Sequence, residues 1–382
     1  MRGAWSVVAD ASAMVEQASR PLLAGFEFET GHNGRSSWIR DSRSGLSTLT
    51  GDAICTANFV FQEGEAIYLG GCVAHALYTP LVARLNRGEG AAEFSLGVVL
   101  AGATSLWLWD WDGPATVLAD AVSTDRFAVL ARLLLLVVAA LGLLLGHQYF
   151  ARSGHEQRGE FTPLLLFATS GMTLIVAAAD LILTFLALEI LSLALYVLTG
   201  LTGRRAANEA AMKYFLLGAF SSAFFLYGVA MAYGATGTTK IAAMALALTG
   251  TGEKQALAVL GFALLAVGFA FKVSAAPFHM WTPDVYQGAP TPITAFMSTA
   301  TKVAAFGALI RVLDVAFQAL AWDWGPVVWG LAAASVVLGS ILAIAQTNVK
   351  RMLAYSSIAH AGYLLLGIIA ANDTGKAAIL FY

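Results

Sequence analysis

Leu183-Thr-Phe-Leu-Ala-Leu-Glu-Ile-Leu-Ser-Leu193 is an apolar run with a single carboxylate, Glu189, near its centre. It lies within a longer apolar segment, 181–201. About 20 apolar residues are what a helix needs to cross roughly 30 Å of hydrocarbon. The segment therefore predicts a membrane-spanning helix that carries an acid inside it.

Composition extends this prediction to most of the chain. Of the 382 residues, 58% are hydrophobic and only 12% are charged, and the mean hydropathy is +0.71. Soluble domains carry about 25% charged residues, twice this share. This number of charges is too small to cover a water-facing surface. Most of the exterior must therefore face lipid. The formal net charge of −2 gives no indication of a nucleic-acid partner, and the expected surroundings are the lipid bilayer.

Further apolar runs predict an all-α, polytopic transmembrane bundle, with about 10–11 helices present in residues 66–382. Two weak runs lie at 66–83 and 93–110. Stronger ones follow at 127–147, 162–179, 181–201, 212–233, 256–275, 292–313, 326–346 and 353–371. A last run begins near Gly375 and is still apolar at Tyr382, from which we expect a fragment or a truncated gene model. Residues 1–65 contain no spanning run and predict a polar, non-membrane extension of uncertain fold.

Basic residues in the loops predict the orientation, because cytoplasmic loops carry an excess of lysine and arginine. Three loops should share one side of the bundle. They carry, in turn, Arg152 with Arg158, Arg204 with Arg205, and Lys350 with Arg351. We assign that side to the cytoplasm, and with it a multi-pass location in the inner (plasma) membrane.

The two cysteines, Cys55 and Cys72, form no CxxC motif. Two thiols cannot supply the ligands of an iron–sulfur cluster or a structural zinc site. No glycine-rich phosphate fingerprint follows a strand-like run. We therefore expect this chain to bind no cofactor or metal and to hold no redox centre.

Three ionisable residues lie inside apolar runs: Glu189, Lys272 and Lys302. Each costs about 2.5–3.5 kcal/mol at mid-bilayer, so each is a functional hypothesis. Glu189 and Lys302 could form a static buried ion pair, and Lys272 could extend its amine to water. They could equally form a proton path, because desolvation lowers the pKa of a lysine and raises that of a carboxyl group.

Prolines at 277, 283, 290 and 292 interrupt the segment 272–294. It is either an ordinary loop or a helix broken at membrane depth, the kind of place where transporters build ion sites. His279 in this segment and His360 further on are weaker candidates for a proton relay. Each could also be a hydrogen-bonded packing residue.

Three stretches carry a resemblance to a known family. They are Lys272-Val-Ser-Ala-Ala-Pro-Phe-His-Met-Trp-Thr-Pro-Asp284, Gln287-Gly-Ala-Pro-Thr-Pro292 and Gln346-Thr-Asn-Val-Lys-Arg-Met-Leu-Ala-Tyr-Ser-Ser-Ile-Ala-His-Ala-Gly362. They resemble the antiporter-like subunits of respiratory complex I (type I NADH-quinone oxidoreductase) and, within that family, the N subunits. The resemblance covers roughly residues 93–382.

The resemblance implies about fourteen helices in two inverted repeats of five, each repeat with a broken helix. It also implies that Glu189 and Lys272 form a switching pair and that Lys302 passes the proton toward the second half. The second broken helix of the family would lie beyond Tyr382. The implied partners are other membrane subunits of complex I, both antiporter-like and small, while NADH, FMN, iron–sulfur clusters and quinone would be used by other subunits.

Three functions remain open from the sequence. The first is proton translocation as a subunit of NADH-quinone oxidoreductase, coupled to electron transfer in partner subunits. The second is an Mrp-type cation/proton antiporter subunit. The third is a truncated subunit that supports assembly without transport.

Overall fold

A computed structural model describes the backbone of residues 26–30, 37–41 and 47–50, and residues 101–106, 108–110, 116–152, 160–249 and 254–382. The chain divides into two compact units, Met1–Gln62 and Glu63–Tyr382. In the first, β1 (Phe26–Thr30), β2 (Ser37–Asp41) and β3 (Ser47–Thr50) form an antiparallel sheet in the order β1-β2-β3. The predicted boundary near residue 65 stays a prediction, and the run at 66–83 lies outside the described residues.

The second unit is a helical bundle. A two-stranded hairpin, β4 (Thr116–Val117) with β5 (Val122–Ser123), precedes eleven α-helices in the described residues. These are α1 (Arg126–Arg152), α2 (Phe161–Ala177), α3 (Leu181–Gly200), α4 (Arg205–Thr236), α5 (Ile241–Leu248), α6 (Gln255–Val273), α7 (Trp281–Gly288), α8 (Thr291–Arg311), α9 (Ala321–Ile344), α10 (Val349–Ile369) and α11 (Asp373–Phe381).

The all-α transmembrane prediction is confirmed. Every strong apolar run from 127 onward coincides with a helix, and within the described residues seven helices are long and apolar enough to cross a membrane. The run at 93–110 is described only in part, with helical residues 101–106 and a short 3₁₀ turn at Leu108–Asp110. Two short helices, α5 and α7, were not predicted, because eight residues are too few to produce a spanning run.

Close packing between α9 and α10 depends on glycine. A Cβ added to Gly339 would lie 2.6 Å from the backbone nitrogen of Ala359, and one added to Gly362 would lie 2.8 Å from the carbonyl oxygen of Ala332. Real Cβ atoms do not approach backbone so closely, so only glycine permits this contact. Small residues have the same role in other membrane helix pairs.

The segment after Lys272 is a broken helix and not an ordinary loop. α6 ends at Val273, Ser274 has a left-handed backbone with a φ of 66°, and helical structure resumes at α7. The backbone N–H of Ala276 donates to Ser335 Oγ at 2.8 Å. Ser335 lies near the middle of α9, so the break is level with the interior of the bundle. Irregular backbone at such depth is tolerated where protein surrounds it.

The positions of the basic helix ends are consistent with the predicted orientation of the bundle. Arg152 at the end of α1 lines the same surface cavity as Thr291 and Pro292 at the start of α8. Lys350 at the start of α10 donates to the carbonyl oxygen of Ala289 at 2.8 Å. The basic ends of α1 and α10 therefore both lie at the start of α8, on one face of the bundle. That this face is cytoplasmic stays a prediction.

On the opposite face of the bundle, Asp125 and Arg311 form an ion pair. Arg311 Nη1 lies 2.7 Å from Asp125 Oδ2, and Nη2 donates to Oδ1 at 3.0 Å. Asp125 Oδ1 also accepts from the backbone N–H of Ala128, which satisfies an open donor at the start of α1. The pair thereby connects the end of α8 to the start of α1.

Candidate functional site

Lys272 is enclosed in the bundle near the end of α6. Its side chain is 3% exposed, and its Nζ donates to Ser192 Oγ of α3 at 2.7 Å. The ammonium group also lies 5.7 Å from the centre of the Tyr214 ring, within range of a cation–π attraction. An amine held this way does not extend to water, so the snorkelling interpretation is wrong.

Glu189 lies on α3, one helical turn before Ser192. Its carboxylate accepts a hydrogen bond from Ser222 Oγ of α4. Ser192, Ser222 and Lys272 line one small cavity of about 10 Å³. Among the described residues no ion pair joins Glu189 to Lys272. Each member of the expected switching pair is thus hydrogen-bonded to a serine, Glu189 to Ser222 and Lys272 to Ser192.

Lys302 comes from the middle of α8 and reaches the break after α6. Its Nζ donates to the carbonyl oxygen of Ser357 at 2.5 Å and to that of Val273 at 3.4 Å. Val273 is the last residue of α6, where unsatisfied carbonyl groups carry partial negative charge. The break therefore brings Lys302 next to the residue that follows Lys272.

A cavity of about 850 Å³ adjoins Lys302 between α1, α8, α10 and α11. Its lining includes Tyr286, Lys350 and His360 besides Lys302. His360 is exposed, and its Nδ1 is hydrogen-bonded to the Tyr382 hydroxyl. The structure therefore brings the predicted relay residue His360 to the same cavity as Lys302.

His279 lies apart from this group, in the turn between α6 and α7. Its ring packs 6.4 Å from that of Tyr355, centroid to centroid. Its Nδ1 is buried and has no hydrogen-bond partner among the described residues. His279 does not line the cavity at Lys302, so its relay role stays a prediction.

Sequence reasoning missed a charged cluster that holds the second half of the broken helix. Asp284 on α7 lies 2.8 Å from Lys213 Nζ and 2.5 Å from Arg351 Nη1. Lys213 of α4 also pairs with Glu209 at 2.8 Å. These contacts tie α7 to α4 and α10. The partners are far apart in sequence, so no local pattern indicates them.

Together these contacts form a polar chain through an apolar bundle. Ser222 binds Glu189, Ser192 binds Lys272, and both serines and Lys272 line one small cavity. At the break in α6, Lys302 binds the carbonyl oxygen of Val273, next to Lys272. Amines, a carboxylate and hydroxyls can each bind or release a proton or pass one along.

Known proteins show the same fold and motifs. Residues 178–382 match the family described as NADH:quinone oxidoreductase/Mrp antiporter, TM. NADH-quinone oxidoreductase subunit N of Trichlorobacter lovleyi is 47% identical over 327 residues, which is 85% of this chain and 66% of that protein. A chain of respiratory complex I from Thermus thermophilus is 41% identical with a TM-score of 0.61, over 80% of this chain and 64% of that one.

The fold is also shared with a chain of an Mrp complex. A chain of the Mrp complex from Dietzia sp. is 25% identical with a TM-score of 0.64, over 83% of this chain and 59% of that one. This chain spans less than two thirds of the length of these relatives. The match over residues 178–382 contains Glu189, Lys272 and Lys302. The chain belongs to the family of antiporter-like membrane subunits shared by NADH:quinone oxidoreductases and Mrp antiporters.

Proposed function

We propose that this chain translocates protons as an N-type subunit of NADH-quinone oxidoreductase in the inner membrane. The observation that carries the proposal is the polar chain from Glu189 to Lys302 inside an otherwise apolar bundle. The identity to subunit N of Trichlorobacter lovleyi supports the choice of complex. The partners would be neighbouring membrane subunits of that complex.

Electron transfer would take place in those partners. NADH, FMN, iron–sulfur clusters and quinone would be bound by them, and this chain would contribute no redox centre. Its contribution would be an electrostatic response. A charge change in a neighbouring subunit would move the Glu189 carboxylate relative to Lys272.

The proton step follows from the environment of Lys272. A carboxylate near the amine stabilises its charged form, and moving the carboxylate away leaves a charge that is costly in the bundle interior. Lys272 would then release its proton toward Lys302, and the returning carboxylate would reload it. Glu189 and Lys272 each bind a serine, which is consistent with a state in which the pair is apart.

Two substitutions test this proposal in the intact complex. In closed membrane vesicles, Glu189→Gln and Lys302→Ala should each lower NADH-driven proton uptake, because each removes a charge of the path. Lys254→Ala is the matched control, since Lys254 is exposed at the start of α6. NADH oxidation by a water-soluble acceptor reports whether the complex has assembled. Full proton uptake in both variants would contradict the proposal.

The similarity to the Mrp complex of Dietzia sp. supports one alternative, a subunit of a cation/proton antiporter. The same buried charges could then exchange sodium for protons without electron transfer. Sodium transport by the complex in the absence of NADH, driven by an imposed pH gradient, would favour the antiporter. Proton uptake that requires NADH would favour the oxidoreductase.

A further inference from the structure

The carboxylate of Asp284, on the short helix α7, divides its two oxygens between two long helices. Oδ2 lies 2.8 Å from Lys213 Nζ of α4, and Oδ1 accepts from Arg351 Nη1 of α10. The same Arg351 nitrogen also donates to Gln287 Oε1 of α7 at 3.1 Å. We call Asp284, Lys213 and Arg351 the Asp284 cluster. One acid thus joins two helices that are far apart in sequence.

Packing and backbone hydrogen bonds also hold α7 against these two helices. A Cβ added to Gly288 would lie 2.7 Å from the carbonyl oxygen of Ala206 on α4, so α7 and α4 are in close contact there. The carbonyl oxygen of Ala289, just after α7, accepts from Lys350 at the start of α10 at 2.8 Å. Loss of the charge on Asp284 would therefore not by itself detach α7.

Each of the two long helices leads from the Asp284 cluster to one end of the polar chain. On α4, Ser222 lies about two and a half turns beyond the cluster, and it donates to Glu189. On α10, Ser357 lies about one and a half turns beyond the cluster, and its carbonyl oxygen accepts from Lys302 at 2.5 Å. The cluster is therefore a junction between the helix that binds Glu189 and the helix that binds Lys302.

We propose that Asp284 is a positioning residue that couples the two ends of the polar chain through α4 and α10. This inference rests on the proposed function. When the Glu189 carboxylate moves, Ser222 and α4 move with it, and the two ion pairs of Asp284 pass that movement to α10 and to the carbonyl group that binds Lys302. Rigid helices joined by ion pairs can carry coupling of this kind. Two neighbouring cations favour the charged form of a carboxylate, so Asp284 acts through its charge and takes up no proton itself.

Two variants separate this coupling from a direct role of the Asp284 carboxylate in proton transfer. Lys213→Met removes the ion pair to α4 but leaves the carboxylate in place, whereas Asp284→Asn removes the charge at nearly constant volume. Each should lower proton uptake per NADH oxidised about threefold. The loss is modest because the three side chains are 28%, 34% and 43% exposed, and ion pairs this exposed interact weakly. Asp284→Glu keeps the charge and should retain most of the uptake.

Glu209→Gln is the matched control. Glu209 lies 2.8 Å from Lys213 Nζ, as Asp284 does, but Glu209 and Lys213 are both on α4, so their pair joins no second helix. The sample is the intact complex in closed vesicles, and proton uptake is divided by quinone-linked NADH oxidation. A merely structural defect lowers the amount of complex and leaves this ratio unchanged. NADH oxidation with a water-soluble acceptor reports assembly.

A lowered ratio in Lys213→Met and Asp284→Asn, with normal ratios in Asp284→Glu and Glu209→Gln, supports the coupling. A normal ratio in Lys213→Met overturns it whatever Asp284→Asn does, because the carboxylate would then act without α4. If Asp284→Asn fails to assemble, Lys213→Met decides alone. A loss in Glu209→Gln equal to that in Lys213→Met also overturns the coupling. Only this inference fails if Glu189→Gln is still impaired, whereas normal ratios in Glu189→Gln and Lys302→Ala overturn the proposed function.

Discussion

Lys302 Nζ lies 3.4 Å from the carbonyl oxygen of Val273, the residue that follows Lys272 and ends α6. The two lysines are 30 positions apart in sequence, but the break in the helix exposes a backbone carbonyl between them. Without the break, this carbonyl would be occupied by the next turn of the helix. The end of α6 at Val273 therefore creates a site where Lys302 can approach Lys272.

The two serines should matter for transport and not only for packing. Ser192→Ala removes the hydrogen-bond acceptor of a buried amine, which should cost about 1–3 kcal/mol of stability. It should also lower proton uptake, as should Ser222→Ala, because Ser192 binds Lys272 and Ser222 binds Glu189. Proton uptake in vesicles is the measurement.

Thr199→Ala is the control for the serine variants. Thr199 is buried on the same helix, but its hydroxyl donates within the helix to the carbonyl oxygen of Leu195 and lies 3.9 Å from Met297 Sδ. Loss of transport in Thr199→Ala equal to that in the serine variants would show a general packing defect.

Gly339→Ala should destabilise the bundle. The added methyl group would lie 2.6 Å from backbone of α10, so the helices must separate, at a cost of about 1–3 kcal/mol. Gly330→Ala on the same helix should be neutral or stabilising by roughly 0.5–1 kcal/mol, because nothing lies within 4 Å of the added atom and alanine favours helix. Thermal unfolding in detergent compares the two, and equal midpoints would mean that α9 and α10 do not pack this closely.

The Asp125–Arg311 pair predicts a pH dependence of stability. Partial burial raises the pKa of Asp125, but the hydrogen bonds and charge of Arg311, with those from Ser123 and Ala128, outweigh it and lower the pKa to about 2. A carboxyl group whose pKa is lowered by folding stabilises the folded state at any pH above its pKa in the unfolded chain, near 3.9. That stabilisation is lost as the pH falls toward the folded-state pKa of about 2.

Asp125→Asn should therefore be less stable than the parent protein at pH 7, by about 1–2 kcal/mol since the side chain is 40% exposed. The difference should shrink between pH 4 and pH 2, where the parent carboxylate gains a proton. Unfolding midpoints across this range are the measurement. A difference that is constant with pH would show that the carboxylate charge does not matter.

Ser335→Ala tests the depth of the break. Ser335 is fully buried, and its loss leaves the N–H of Ala276 without its acceptor, which should cost about 1–3 kcal/mol. Ser298→Ala is the control, because that hydroxyl donates to the carbonyl oxygen of Ala295 at an exposed position of α8. If Ser335→Ala unfolds at the same temperature as Ser298→Ala, the break is not held by α9.

The long helices could be predicted because crossing lipid requires about 20 apolar residues, a signal that is local in sequence. The break after Val273 could be predicted in part, since prolines and a serine in the segment oppose a continuous helix. Its depth could not, because it depends on Ser335, 59 residues from Ala276. Only the folded structure shows that the break lies beside the middle of α9.

The charged residues of the candidate site could be predicted from the sequence, but the residues that bind them could not. Glu189 and Lys302 stand out because a charge inside an apolar run is costly. The bridging groups do not stand out: Ser192 is an ordinary serine in an apolar helix, 80 residues from Lys272. The pairing of Asp284 with Lys213 across 71 residues likewise leaves no local pattern in the sequence.

Proton uptake by the single variants Lys272→Ala and Lys302→Ala and by the double variant tests the central claim most directly. If the two amines act in series on one path, each single variant loses most of the NADH-driven uptake and the double variant loses no more than the worse of the two, while Lys254→Ala pumps normally. Single losses that are small and that add in the double variant would contradict a shared path.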